Sequence, residues 1–152
     1  MTEVIPGADE SFMRRCIDLA REARERGDAP VGALIVRDGL VIAEAGERVD
    51  SVLDIAGHAE IVAIQTACRL LGTLNLSGCM LYSNAEPCVM CAYAIRQTGI
   101  SRVVFGATVP DMGGATSRYP ILTAPDVSEW PEPPAVVAGV LVDECAALVS
   151  GR

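Results

Sequence analysis

The sequence predicts an α/β fold, a three-layer α/β/α sandwich with a mixed five-stranded sheet. Three observations lead to this prediction. Two β-rich runs flank the dipeptide Asp38-Gly39, which favours a tight turn and an antiparallel hairpin. Between residues 79 and 105 a strand, a helix and a strand follow one another, and this order implies parallel pairing through a right-handed crossover. Helical segments with one apolar face separate the strands and can cover both faces of the sheet.

An amphipathic helix and the hairpin make up the N-terminal part. Residues 10–26 carry apolar side chains at helical spacing, and Asp9 or Ser11 can serve as the N-cap. The hairpin strands cover residues 31–36 and 40–45, where branched apolar residues are frequent. These two strands should pair antiparallel across a type I′ turn.

The middle of the chain continues with a loop, a helix, a strand and a second helix. Residues 46–57 form the loop. Residues 58–71 place apolar side chains on one helical face, so that His58 opens a helix. Residues 79–83 have the pattern of a strand, and residues 88–98 have that of a helix that ends before a glycine.

Two further strands and a short helix are predicted in the C-terminal part. Residues 101–105 complete the parallel pair, and residues 136–142 form a last strand whose orientation the sequence leaves open. Residues 143–149 form the helix, with Asp143 as its cap. Between these strands, residues 106–134 are rich in Gly and Pro, and so long a connection without secondary structure is often functional.

Length and hydropathy indicate one domain outside the membrane. A chain of 152 residues has the size of a single domain with a real core, so residues 1–152 are expected to form one unit. No apolar run reaches the roughly 18 residues that a membrane span requires. The first ten residues lack the basic cluster and apolar stretch of a secretion signal. We therefore expect a cytoplasmic protein with no membrane partner.

The charge of the chain argues against a nucleic-acid partner. Its net charge is -8, and all 12 basic residues are Arg, so that no Lys is present to neutralise phosphates. Five of these arginines lie in the first predicted helix and alternate with acidic residues. Such alternation is typical of a solvated helix face, and a phosphate-binding patch is the less favoured alternative.

Two short motifs supply the residues of a metal site. His58-Ala59-Glu60 is followed about thirty residues later by Pro87-Cys88-Val89-Met90-Cys91, which gives three zinc ligands and one free carboxylate. A zinc ion with three protein ligands keeps its fourth position for water, and it lowers the pKa of that water to about 7. The sequence therefore predicts one catalytic Zn²⁺ per chain, held by His58, Cys88 and Cys91.

The other four cysteines have no regular spacing, which argues against a disulfide framework. We expect them to be free and mostly buried thiols in a reducing compartment, because a free Cys behaves as a small hydrophobe. They are Cys16, Cys68, Cys79 and Cys145.

The two motifs resemble those of the zinc-dependent cytidine deaminase superfamily, whose signature is H-x-E followed by P-C-x-x-C. Residues 29–33, 57–61, 86–91 and 102–107 are similar to the branch that contains guanine deaminases and tRNA adenosine deaminases. The resemblance covers about residues 10 to 110. It implies a cytidine deaminase-like fold, and it makes Glu60 the general acid and base that moves protons while an exocyclic amine becomes a carbonyl and ammonia leaves.

Four residues are indicated for substrate binding by the same resemblance: Glu47, Ala59 through its backbone amide, Asn84 and Asp111. In the resembled families an Asn eleven residues before the zinc His holds the base, and here Glu47 takes that place. An ionised Glu only accepts hydrogen bonds, so the pocket should prefer a ring that presents N–H groups, unless Glu47 faces solvent. Asp111 either holds an amine or ring N–H, or belongs to an ordinary turn.

Quaternary structure is implied by the resemblance as well. Relatives are commonly homodimers, and we expect a homodimer here. The Pro-rich residues 130–134 would then complete a neighbour's pocket. Trp130 and Tyr119 either cover the site or, more in line with the habits of Trp, pack in a core.

Deamination of a small heterocyclic amine is the function we expect, with a free base such as guanine, cytosine, isoguanine or an s-triazine as substrate. Adenosine-to-inosine editing of tRNA is the alternative, and the acidity of the chain argues against it. A third alternative, of another class, is a structural-zinc binding module without turnover, closed by Cys68, Cys79 or Cys145 as a fourth ligand. The last alternative is that Cys88 and Cys91 form a redox-active Cys-x-x-Cys pair.

Overall fold

The computed structural model describes residues 7–150, in which a five-stranded sheet lies between two layers of helices. The strands are β1 (Gly32–Arg37), β2 (Leu40–Gly46), β3 (Cys79–Ala85), β4 (Arg102–Ala107) and β5 (Ala135–Ala138). The helices are α1 (Ala8–Glu25), α2 (Val49–Val52), α3 (Ala59–Leu71), α4 (Val89–Thr98) and α5 (Val142–Ser150).

The sheet is mixed, as the sequence predicts. Its strand order is β2-β1-β3-β4-β5, in which β1 pairs antiparallel with both β2 and β3. The pairs β3–β4 and β4–β5 are parallel, which settles the orientation of the last strand. At the hairpin, Asp38 and Gly39 have φ values of 51° and 76°. Two consecutive positive φ values are what a type I′ turn requires.

Two apolar cores fill the space between the sheet and the helices, because neighbouring residues of a strand point to opposite faces. In β1, Ala33 and Ile35 pack toward α3 and α4, whereas Leu34 and Val36 pack toward α1 and α5. The second core also contains Tyr82 of β3. The three-layer α/β/α arrangement is therefore confirmed.

The helix α1 starts differently from the prediction. Its N-cap is Gly7, with φ 82°, and no side chain caps the helix, so that neither Asp9 nor Ser11 has this role. Asp9 lies inside the first turn, and its carboxylate accepts hydrogen bonds from Arg102 and from the hydroxyl of Tyr82. Asp9 therefore joins the first turn of α1 to the sheet through an ion pair and does not cap the helix.

Two other boundaries are corrected by the structure. The expected loop over residues 46–57 contains the short helix α2, which sequence patterning does not reveal because it has only four residues. The last strand ends at Ala138 and not at residue 142. Gly139 and Leu141 have φ values of 87° and 51°, a left-handed backbone that ends the strand immediately before α5.

No helix within residues 7–150 has the length and apolar character needed to cross a membrane. All six cysteines are free thiols, and Cys16, Cys79 and Cys145 are buried as expected. Cys68 is partly exposed.

Candidate metal centre

The three metal-ligand side chains meet at the starts of two helices. His58 is the N-cap residue of α3, Cys88 is the N-cap residue of α4, and Cys91 lies in the first turn of α4. The helix α4 begins directly after β3, at the carboxyl end of the parallel strands, where open α/β sheets place their ligands. The positive ends of both helices favour thiolates and other anions at this point.

The distances between these ligand atoms fit a zinc ion. His58 Nδ1 lies 3.4 Å from Cys88 Sγ and 3.5 Å from Cys91 Sγ, and the two sulfurs are 3.8 Å apart. A tetrahedral zinc ion with bonds of about 2.3 Å to sulfur and about 2.0 Å to nitrogen separates two sulfurs by roughly 3.8 Å and a sulfur from a nitrogen by roughly 3.5 Å. The side chains are therefore already placed as the corners of a zinc site.

No further cysteine joins this cluster in the part of the chain that the structure describes. The group of side chains able to share one metal ion consists of His58, Cys88 and Cys91. The cysteines considered as a fourth, closing ligand are not members of it. Three protein ligands leave a corner for water, which is the arrangement of catalytic zinc sites.

The pKa values of the three ligand side chains are shifted in different directions. The hydrogen bond between the Cys88 and Cys91 sulfurs lowers the pKa of Cys88 to about 4 and raises the pKa of Cys91 well above its usual value. The hydrogen bond to Cys88 raises the pKa of His58 to about 9. Since zinc binds thiolate and neutral imidazole, a bound ion would displace these protons.

Glu60 is buried beside the three ligands. It lies in the first turn of α3, is only 3% exposed, and its Oε1 has no hydrogen-bond partner among the described residues. Burial raises the pKa of Glu60 to about 7. A carboxyl group with such a pKa can take up and release a proton near neutral pH. A buried polar atom without a partner also indicates a place where a water or substrate atom is bound.

Glu47 does not face solvent. It is 7% exposed, its Oε2 accepts a hydrogen bond from the backbone amide of Ala29 at 3.2 Å, and its charge contributes to the raised pKa of His58. The alternative of a solvent-facing Glu47 is therefore wrong. Burial close to the metal ligands is what a residue of the substrate pocket requires.

The other three residues expected to bind substrate have different surroundings. The backbone of Ala59 starts α3 next to His58, so its amide is one of the helix-start N–H groups. Asn84 is fully buried; its Oδ1 accepts from Gly32 N at 2.8 Å, and its Nδ2 donates to Pro30 O at 2.9 Å. Asp111 is exposed in a turn. Asn84 thus holds the start of β1 in place.

Glu86 is a residue of the site that the sequence analysis missed. It precedes Pro87, is 3% exposed, and accepts hydrogen bonds from the segment after β4. The position of Glu86, two residues before the zinc ligand Cys88, is the one sequence feature that could have indicated its role. The donors, however, come from residues 23 to 30 positions further along the chain, in a segment without periodic pattern.

Trp130 packs against α4. Its ring is 5.6 Å from that of Tyr93 and stacks on the guanidinium of Arg96, and its Nε1 donates to Gln97. Arg96, which is 2% exposed, donates to backbone carbonyls of the connection, including those of residues 121 and 124. Tyr119 is exposed. The connection between β4 and β5 therefore packs against α4 through residues 121–130.

All five arginines of the first helical segment have protein partners. Two of them pair with acidic side chains of other segments, one pairs with an acidic side chain two residues further along the chain, one pairs within α1, and one donates to a backbone carbonyl of α5. The five contacts are Arg14–Glu144, Arg15–Glu44, Arg26–Asp28, Arg21–Asp18 and Arg24–Leu148. These guanidinium groups are partly neutralised, which disfavours a phosphate-binding patch on α1.

Comparison with known proteins places this geometry in a family. Residues 6–107 match the cytidine and deoxycytidylate deaminase zinc-binding region. A tRNA-specific adenosine deaminase of Aquifex aeolicus is 39% identical over 138 residues, covering 89% of this chain and 91% of that protein. A guanine deaminase of Bacillus subtilis is 40% identical over 107 residues, covering 70% of this chain and 69% of that enzyme.

A solved structure agrees with these matches. It comes from biochemical and structural studies of A-to-I editing by tRNA deaminases at the wobble position of transfer RNA. It superposes with a TM-score of 0.84 at 38% identity, covering 91% of this chain and 98% of that one. The sequence match, the shared fold and the zinc-ligand geometry agree, and this chain therefore belongs to the cytidine and deoxycytidylate deaminase family of zinc-binding proteins.

Proposed function

We propose that residues 1–152 form a single zinc-dependent deaminase domain, which hydrolyses the exocyclic amine of a heterocyclic base to a carbonyl and releases ammonia. One observation carries this proposal. Among the described residues, one buried carboxyl oxygen of Glu60 has no hydrogen-bond partner, and Glu60 lies in the first turn of the helix whose N-cap is the metal ligand His58. Hydrolytic deamination needs a group at that place which accepts a proton and then donates it.

In this proposal each residue of the centre has a separate task. His58, Cys88 and Cys91 would hold the zinc ion, which when bound would supply a water of pKa about 7. Glu60 takes one proton of the attacking water and delivers it to the ring nitrogen. It then carries the second proton, from the hydroxyl group of the adduct, to the amine, which leaves as ammonia as the C–N bond breaks. The water oxygen becomes the carbonyl oxygen of the product, so that atoms balance.

Binding of the ring is assigned to the residues around this carboxylate. The backbone amide of Ala59 donates to a ring acceptor, and Glu47 accepts from a ring N–H group. Asn84 offers the amide N–H that Pro30 does not use, and Asp111 approaches from the connection after β4. Because Asn84 already holds two backbone groups, we expect its main effect on the pocket to be indirect.

Adenosine in tRNA is the substrate class that the relatives support best. The Aquifex aeolicus protein, 39% identical over nearly the whole chain, is a tRNA-specific adenosine deaminase. A Bacillus subtilis protein of the same description is 37% identical over 142 residues. These matches support the tRNA alternative better than our expectation of a free base.

A free base remains the second candidate because specific observations favour it. The net charge of -8 and the paired arginines of α1 weaken attraction to phosphates. Glu47 stands where the resembled families hold the base with Asn. The guanine deaminase of Bacillus subtilis also matches 70% of the chain at 40% identity.

Ammonia release from a panel of substrates tests the function and separates the two candidates. The panel contains guanine, cytosine, isoguanine, ammeline and an anticodon hairpin with adenosine at the wobble position. The zinc-loaded chain is compared with Glu60→Gln, which keeps the three ligands. Release from the hairpin alone supports the tRNA reading, and release from a free base alone supports the second. A chain that holds zinc but releases ammonia from none of them would contradict the proposal in favour of a binding module.

Glu47→Asn sharpens the choice of substrate. If Glu47 contacts the ring, this variant should lose activity on a free base that presents N–H groups and gain relative activity on the hairpin. Unchanged ratios would show that Glu47 does not select the ring. Homodimer formation and a cytoplasmic location remain predictions, and light scattering on the purified chain measures the first.

A further inference from the structure

The segment between β4 and residue 116 lies directly against the metal ligand Cys88. Gly114 N donates to Pro87 O at 2.8 Å, and Val89 N donates to Met112 O at 3.1 Å. Cys88 and Gly113 form an isolated antiparallel bridge. The residues on both sides of Cys88 are therefore hydrogen-bonded to the same loop. We call this loop, residues 109–116, the bracing loop.

The carboxylate of Glu86 holds this loop in shape. Its Oε1 accepts from Val109 N at 2.9 Å and from Thr116 Oγ1 at 2.5 Å. Its Oε2 accepts from Ala115 N at 2.8 Å and Thr116 N at 2.7 Å. A carboxylate has about four acceptor positions. Glu86 uses all of them on the two ends of the bracing loop.

Two glycines show how closely the loop and its surroundings fit. A Cβ atom on Gly113 would collide with the Glu86 carboxylate, and one on Gly114 would lie 2.6 Å from Cβ of Ala92 in α4. Side chains are thus excluded on both sides of the loop. Its path past Cys88 is set by contact with α4 on one side and by Glu86 on the other.

From these contacts we infer that Glu86 is a positioning residue of the metal centre, which fixes Cys88 by way of the bracing loop. Zinc binding requires the sulfur of Cys88 to stay about 3.8 Å from that of Cys91, and the backbone on both sides of Cys88 is bonded to a loop without regular structure of its own. The four hydrogen bonds of Glu86 supply the rigidity that the loop lacks. The inference rests on the proposed function in one respect, namely that the three side chains hold zinc.

Glu86→Gln tests the inference, because it keeps the size of the side chain and replaces one acceptor oxygen by an NH₂ donor facing N–H donors. We expect the zinc affinity to fall about 10- to 100-fold, which is the usual effect of altering a group that supports a metal ligand. The measurement is competition for Zn²⁺ with a chromophoric chelator. The absorption spectrum of the Co²⁺-loaded protein should also change, because a displaced Cys88 alters the ligand field.

Asp9→Asn is the matched control. It removes the charge of another hydrogen-bonded carboxylate, on the opposite face of the sheet, where α1 meets Arg102. We expect it to lower the melting temperature while leaving the zinc affinity within about twofold of wild type and the Co²⁺ spectrum unchanged. A purely structural role of Glu86 predicts the same behaviour for Glu86→Gln.

A milder variant covers the case in which Glu86→Gln does not fold. Thr116→Val keeps the shape of the side chain and removes only the hydroxyl donor. Zinc affinity should therefore fall by a smaller factor than in Glu86→Gln, roughly severalfold or less. Wild-type zinc affinity in a folded Glu86→Gln protein, or in Thr116→Val if the former is unfolded, would overturn this inference alone. A wild-type chain that binds no zinc would overturn the proposed function as well.

Discussion

His58 Nδ1 lies 3.5 Å from Cys91 Sγ, although 33 residues separate them in the chain, and the pair joins the starts of α3 and α4. A zinc ion held at this junction connects both helices. Ligands that bind only the folded protein stabilise it by about 4 kcal/mol when present at a thousand times their dissociation constant. We therefore expect that removing zinc with a strong chelator lowers the melting temperature by about 10 °C, on the scale of about 2–4 °C per kcal/mol for a chain of this size.

Differential scanning fluorimetry with and without the chelator measures this change. Adding zinc back should restore the melting temperature, whereas Mg²⁺ should not, because thiolate ligands do not suit a hard cation. His58→Ala should be insensitive to the chelator. A wild-type protein whose melting temperature is also insensitive would show that the centre holds no metal that contributes to folding.

Glu60→Gln should retain zinc and lose turnover. The variant preserves the size of a side chain that is 3% exposed, but an amide cannot take up and release the proton. General acid and base groups contribute about 100-fold or more, so ammonia release should fall by at least that factor. Zinc content is measured on the same preparation, and near-normal turnover at full zinc occupancy would refute the role of Glu60.

The parts of the site that depend on local patterns were predictable from the sequence. His58 and Cys88 precede amphipathic segments, and helix starts are encoded within a few residues, so the meeting of ligands at two helix starts was foreseen. Long-range hydrogen bonds leave no periodic signal. Asp9 looked like a cap but pairs with a residue 93 positions away, and the four donors of Glu86 lie in an aperiodic segment.

The end of the last strand could not be predicted from the periodicity of apolar residues either. The apolar run over residues 136–142 continues past the strand, because Val140 and Leu141 are as apolar as the strand itself. What stops β5 is the backbone conformation at Gly139 and Leu141. Glycine signals such a turn only weakly, and Leu with positive φ gives no signal at all.

Arg96→Met should loosen the connection that lies on α4. The guanidinium donates to the carbonyls of Ile121 and Ala124, at 2.8 and 2.9 Å, and stacks under Trp130. Methionine fills much of the volume but donates no hydrogen bond, so these partly buried carbonyls lose their donor. The loss should be about 2–4 kcal/mol in the free energy of unfolding, measured by urea denaturation.

Hydrogen exchange locates this effect. Amides of residues 121–131 should exchange faster in Arg96→Met than in the wild type. The relative exchange rates of the amides within β1 and β3 should stay the same. Arg69→Met is the control, because Arg69 is exposed on α3 and its loss should change stability by about 0.5 kcal/mol or less. Equal effects of the two substitutions would show that Arg96 does not fasten the connection.

Asp9 should make the stability of the fold depend on pH in the acid range. Its hydrogen bonds with Arg102, at 2.9 and 2.7 Å, hold the pKa of the Asp9 carboxyl below the ordinary value of 3.8. The unfolded chain therefore binds the proton more readily than the folded one. The stabilisation is complete above pH 3.8 and is lost as the pH falls through the lower pKa of the folded protein.

Asp9→Asn isolates this contribution. At pH 7 the variant should be about 2–3 kcal/mol less stable, because Arg102, with a side chain 8% exposed, keeps its charge without a carboxylate partner. As the pH falls below 3.8, the difference between wild type and variant should shrink, since protonation of Asp9 removes the same charge from the wild type. Urea denaturation of both proteins from pH 7 down to about pH 3 measures the difference directly. A difference that stayed constant over this range would mean that the ion pair contributes through shape alone, and that its charge does not stabilise the contact between α1 and the sheet.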